Sequence, residues 1–145
     1  MDVRQPVVML VDDEVPFVET TTKRLEKRKL NILQAFNGQE ALDKLAKNRN
    51  VDVIILDVKM PGMDGIETLQ EIKKVSPLTE VVMLTGHATV ESAIEGMKLG
   101  AYDYLMKPCE IENLVQKVQE ATRKKRDHEE KIREAKVREA LAEHG

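Results

Sequence analysis

The stretch Val53-Ile54-Ile55-Leu56-Asp57-Val58-Lys59-Met60-Pro61-Gly62-Met63-Asp64-Gly65 decides the fold. Its first four residues are β-branched or aliphatic with no polar interruption. That pattern belongs to a strand buried on both faces, because a strand with one wet face alternates. Asp57 ends the run, and Met60-Pro61-Gly62 reads as a turn. Asp64 and Glu67, three apart, then match an Asx cap and its reciprocal partner at a helix start. Similar runs occur at Val7–Val11, Leu30–Ala35, Val81–Leu84 and Tyr104–Met106. Between them, apolar residues recur at steps of three and four: Val15, Val18, Thr22, Leu25; Val90, Ala93, Ile94, Met97; and Ile111, Leu114, Val115, Val118, Ala121. Asn37 with Glu40 repeats the cap spacing, and Gly100 reads as a helix stop. Strand and helix alternate five times, which predicts an α/β fold with a doubly wound, five-stranded parallel sheet covered on both faces.

The chain has 145 residues, 41% apolar and 34% charged, the size of one domain with an appendage. Eight of the 23 basic and six of the 26 acidic residues fall in 121–145, leaving the first 120 residues at net −5. An acidic body without Trp argues against direct nucleic-acid contact, which needs clustered positive charge or stacking platforms. The lone Cys109 excludes an internal disulfide framework and a thiolate-rich zinc site. No apolar run approaches the roughly 20 residues that span a bilayer. The N-terminus has no signal-peptide pattern, so no membrane association and a cytoplasmic location are expected.

The last helix should begin near Glu110, and neither Gly nor Pro interrupts it from Val118 to Glu143. A seam of heptad character runs through Ile111, Leu114, Val118, Ala121, Lys125, His128, Ile132 and Ala135, broken by Lys125 and His128. Residues 126–145 read as a charged helical extension, solvated or linking. The alternative is a helix that dimerises or binds a partner.

Polar residues interrupt the apolar runs in a pattern. Asp12 and Asp13 end the first run, Asp57 the third, Thr85 the fourth and Lys107 the fifth. In a parallel sheet every strand end of one kind lies on one edge, and ligands bind in the crevice there. Topology would therefore gather three carboxylates, a hydroxyl and an ammonium. Each like-charge pair at about 4 Å costs on the order of 4 kcal/mol at an effective dielectric near 20, so the cluster calls for a cation. Hard oxygen donors with incomplete protein coordination suit Mg²⁺.

Val11-Asp12-Asp13-Glu14, Leu56-Asp57-Val58-Lys59-Met60-Pro61-Gly62-Met63-Asp64-Gly65, Leu84-Thr85-Gly86-His87-Ala88 and Tyr104-Leu105-Met106-Lys107-Pro108 together resemble the receiver domain of response regulators in bacterial two-component signalling. The resemblance covers about residues 6–125 and implies a flavodoxin-like sheet of order 2-1-3-4-5, with a receiver domain over residues 1–125. It implies that Asp57 accepts a phosphoryl group from a phosphohistidine on a sensor histidine kinase or phosphotransfer protein, becoming an aspartyl phosphate. Asp13, Asp57 and the backbone carbonyl of Lys59 would ligate Mg²⁺, with Asp12 acting chiefly through water. Thr85 and Lys107 would contact the phosphoryl group. Tyr104 would turn inward as Thr85 moves, switching the face made by the fourth helix, fifth strand and fifth helix, through which a homodimer can form. A cis bond before Pro108 is implied as well. Lys59 and His87 sit at the pocket rim.

Other functions compete with this reading. Aspartyl-phosphate hydrolases of similar fold place a second aspartate two residues after the nucleophile as general acid; here that position is Lys59. No Gly-rich phosphate loop or dinucleotide fingerprint occurs. A receiver acting only as a phosphorylation-independent interaction module would not need the acceptor, acid pair, hydroxyl and lysine, all of which are present. A phospho-acceptor without turnover of an external substrate is expected.

Overall fold

A computed structural model describes residues 4–144. The elements run β1 (Val7–Val11), α1 (Val15–Glu26), β2 (Asn31–Ala35), α2 (Gly38–Lys47), β3 (Val53–Leu56), α3 (Gly65–Val75), β4 (Glu80–Thr85), α4 (Val90–Lys98), β5 (Asp103–Met106) and α5 (Ile111–His144). All strand pairs are parallel and the sheet order is β2-β1-β3-β4-β5. The expected doubly wound architecture and strand order are both present.

Side chains alternate across each strand, so the buried runs feed two cores at once. Val8, Leu10, Val53, Ile55, Val82 and Leu84 face one side, where α1 brings Val18 and Leu25 and α5 brings Ile111, Leu114, Val118 and Ala121. Met9, Val11, Ile54, Leu56, Val81 and Met83 face the other, against Ala41 and Leu45 of α2 and Leu69 and Ile72 of α3. Burying each such large side chain stabilises the fold by roughly 1.5–3 kcal/mol.

Both expected Asx caps form. Asn37 accepts the Glu40 N–H at 2.9 Å, and Asp64 accepts the Glu67 N–H at 2.9 Å. Gly100 ends α4 with a φ of +103°, a conformation that costs other L-residues energy.

Two helices depart from the sequence reading. The periodic residues Val90, Ile94 and Met97 of α4 are exposed, and only Gly96 of that helix is buried. They form an apolar surface stripe, not a core face, and Met106 at the end of β5 is exposed as well. In α5, the seam Ile111–Ala121 is the stripe that packs on the sheet. Its continuation Lys125 is not solvated but buried, ion-paired to Asp52 and Glu129 at 3.2 Å each. The polar break in the heptad marks the place where α5 crosses the sheet's edge.

The loop after β3 folds back on itself. Gly65 N–H bonds to the Val58 carbonyl at 2.6 Å, and a Cβ on Gly65 would lie 2.1 Å from the Asp57 carbonyl oxygen. Backbone on both sides of that contact leaves no flexible atom to yield. Gly65→Ala should therefore destabilise the protein by about 1–3 kcal/mol in urea unfolding. A midpoint equal to wild type would show that the loop can open without cost.

Candidate functional site

Register assembles the site. Val11 of β1 is level with Leu56 of β3, so the next residue on each strand, Asp12 and Asp57, emerge side by side. Leu56 is level with Met83 and Thr85 with Met106, which brings Thr85 and Lys107 to the same edge. Asp12 and Asp57 are buried at 1% and 3% exposure, and Asp13 is exposed at the rim. Ligand oxygens of all three lie within 4.8 Å of one another. Three hard carboxylate donors open to solvent on one side fit a divalent cation that keeps part of its water shell.

Both oxygens of Asp12 are engaged. Oδ1 accepts the Glu14 N–H at 2.9 Å, and Oδ2 accepts Lys107 Nζ at 2.6 Å. Burial nonetheless holds the Asp12 carboxyl above its ordinary value: the Lys107 bond and the Glu14 N–H offset part of the desolvation, and the Asp57 charge adds to it. Burial works against the Lys107 ammonium too. Its hydrogen bonds to Asp12 and Glu14 more than compensate, so its pKa is raised. Asp57 accepts the N–H of Val58 at 2.8 Å through Oδ1.

Thr85 is fully buried and its Oγ1 accepts the His87 N–H at 3.0 Å, a bond that does not use the hydroxyl hydrogen. Tyr104 is half-buried against α4, its hydroxyl 2.6 Å from Ser92 Oγ. The side chains of Lys59 and His87 are exposed. Cys109 is half-buried, with burial pushing its thiol pKa up, and the Lys107–Pro108 bond is cis.

Two residues of this site escaped the sequence reading. Glu14 Oε1 bonds Lys107 Nζ at 3.0 Å, and the Phe17 ring lies 4.0 Å from the same ammonium. Both come from the start of α1, where Glu14 is the N-cap residue yet makes no side-chain cap. The acid pair drew attention to residues 12 and 13, and nothing in the spacing tied position 14 or 17 to position 107. A cleft of about 800 Å³ lined by Leu42, Leu45, Val75, Leu78 and Lys125 shares no residue with the acid cluster.

The family model for the response regulator receiver domain matches residues 8–119. The chain belongs to that family. As a receiver it is 37% identical over 107 residues to the transcriptional regulatory protein ZraR of Escherichia coli O157:H7, covering 74% of this chain and 24% of that protein. It is 35% identical over 115 residues to the DNA-binding transcriptional regulator NtrC of Escherichia coli K12, covering 79% and 24%. The chain thus spans about a quarter of the length of these curated relatives. A solved receiver domain from Clostridium thermocellum superposes with a TM-score of 0.80 at 34% identity, covering 83% of this chain and 97% of that one. Among the described residues, no helix is long and apolar enough to cross a membrane.

The upward shift at Asp12 has a consequence for metal-free protein. A carboxyl whose folded pKa exceeds its unfolded one makes the folded state the better proton binder between the two values. Its contribution to stability therefore falls as pH rises through that interval. In chelator, Asp12→Asn should gain stability over wild type as pH is raised from about 4 to neutrality. A constant difference across that range, measured by urea unfolding, would contradict the assignment.

Proposed function

We propose that this receiver is a signalling phospho-acceptor in which Asp57 takes a phosphoryl group from the phosphohistidine of a sensor histidine kinase or phosphotransfer protein. The carrying observation is the meeting of Asp12, Asp13 and Asp57 within 4.8 Å beside Lys107. One Asp57 oxygen would attack phosphorus as the P–N bond of the donor breaks, leaving the electron pair on the imidazole nitrogen. Nothing is turned over beyond the protein's own acceptor and its later hydrolysis.

Asp12, Asp13, Asp57 and the Lys59 carbonyl are the groups that would hold Mg²⁺, Asp12 chiefly through water. Bound there, the ion neutralises charge that builds up on the transferring group. Lys107 would exchange its bond to Asp12 for one to the phosphoryl oxygen, and the Thr85 hydroxyl would donate a second. Movement of Thr85 would make room for Tyr104 to turn inward and give up Ser92, carrying the state of the site to α4.

The apolar stripe of Val90, Ile94 and Met97, with Met106 nearby in chain order on β5, supports the face of α4, β5 and α5 as the surface that meets a partner or a second copy. Residues 1–125 would form the receiver and 126–145 an extension, in a cytoplasmic, bacterial setting. The names of the relatives make control of transcription one output, exercised by parts of those proteins beyond the matched quarter.

Acetyl phosphate with Mg²⁺ should add one phosphoryl group per chain by intact mass, and Asp57→Asn should abolish it. Full labelling of that variant would remove Asp57 as the acceptor, and repeated turnover of a phosphate ester would indicate a hydrolase. Lys107→Ala should still label partly but leave Tyr104 fluorescence unchanged on labelling. A wild-type response in that variant would exclude Lys107 as the relay.

A further inference from the structure

The edge of the sheet opposite the acid cluster carries a second ionic assembly that the phosphoryl chemistry does not use. Asp52, just before β3, has a side chain only 4% exposed. It accepts Lys125 Nζ at 3.2 Å on Oδ1, and the Arg126 guanidinium spans both of its oxygens, with Nε 3.4 Å from Oδ1 and Nη2 3.1 Å from Oδ2. Asp52 Oδ2 also accepts the Val7 N–H at 2.9 Å, while Arg126 reaches the carbonyls of Arg4 and Gln5. One strand further on, Glu80 opens β4 with its carboxylate buried, Oε1 3.2 Å from Lys73 and Oε2 3.0 Å from Lys124. Three consecutive bases of α5 thus hold the starts of β3 and β4, and the third also holds the lead into β1.

We propose that this clasp is an alignment device that sets the direction in which α5 leaves the receiver and holds its last five turns as a rigid arm. Three observations support a role beyond simple adhesion. The apolar seam of α5 ends at Ala121, with Thr122 the next buried residue, so packing alone would release the helix a turn before Lys125. Clefts of about 800 and 540 Å³ flank the clasp, and both are lined by Lys125 and Glu129. The helix therefore meets this edge through charged side chains and not through a continuous apolar surface. From residue 130 onward no described side chain is buried, so nothing further along steadies the roughly 20 Å of helix that projects beyond.

The chemistry suits direction better than adhesion. Buried ion pairs contribute little net stability compared with well-packed apolar residues, but a fork on a carboxylate is satisfied at only one rotation and one axial position of the helix. Lys125–Glu129, at i and i+4 and 3.2 Å apart, ties the clasp into the first turn of the arm. The anchor Asp52 and the acceptor Asp57 bracket the same four-residue strand β3, so the arm is referenced to the strand that carries the acceptor. This holds whether or not Asp57 is phosphorylated.

The test is a pulsed electron–electron distance measurement on the full chain, with Cys109→Ser and spin labels at Arg24→Cys in α1 and Arg138→Cys in the arm. The clasped protein should give one narrow distance distribution. Asp52→Asn should at least double its width. The apolar replacement Asp52→Leu/Lys125→Met/Arg126→Met separates direction from stability: it should unfold at a temperature close to wild type yet keep the broad distribution. Unchanged width in Asp52→Asn would overturn the proposal. So would a narrow wild-type distance in the apolar variant, which would reduce the clasp to adhesion; should Asp52→Asn fail to fold, the apolar variant decides alone.

Discussion

Parallel pairing compels this chain to place three carboxylates together, and the rest of the site answers to that repulsion. Val11 and Leu56 are level, so Asp12 and Asp57 have nowhere to go but beside each other. Asp13 closes the triangle from the rim. Lys107 relieves part of the charge, at 2.6 Å from Asp12, yet burial still keeps the Asp12 carboxyl above its ordinary value. Three carboxylates beside one ammonium are a donor set that a divalent cation would fit. The two buried cores on either side of the sheet hold this cluster in place.

Lys107 carries several roles at once. It bonds Asp12 and Glu14 and lies against the Phe17 ring, so the start of α1 and the end of β5 are joined through a single ammonium. At the neighbouring strand ends, the Thr85 hydroxyl accepts the His87 N–H, and the Tyr104 hydroxyl lies 2.6 Å from Ser92 Oγ at the start of α4. Under the proposed phospho-acceptor role, these adjacent strand ends are the groups through which a change at Asp57 would reach α4.

Much of this was legible in the residues. Val53–Leu56 could only be a doubly buried strand, and the polar residues ending four of the five runs could only share an edge once the sheet was parallel. Strand order came from the family resemblance, since periodicity does not say which strand neighbours which. The α4 stripe misled because helical spacing reports an apolar face without saying what covers it. Lys125 misled for the opposite reason: a base in an apolar seam looks like a break until Asp52, 73 positions earlier, is known to face it. The links of Glu14 and Phe17 to Lys107 were invisible on the same account, since that partner lies some 90 positions away.

The most direct measurement of the central claim is the thermal unfolding midpoint as Mg²⁺ is titrated into the unmodified protein. A carboxylate triad short of positive charge predicts a midpoint that climbs with the logarithm of ion concentration above the dissociation constant, and a climb that Asp13→Asn removes. A midpoint indifferent to Mg²⁺ in the wild-type protein would contradict the account.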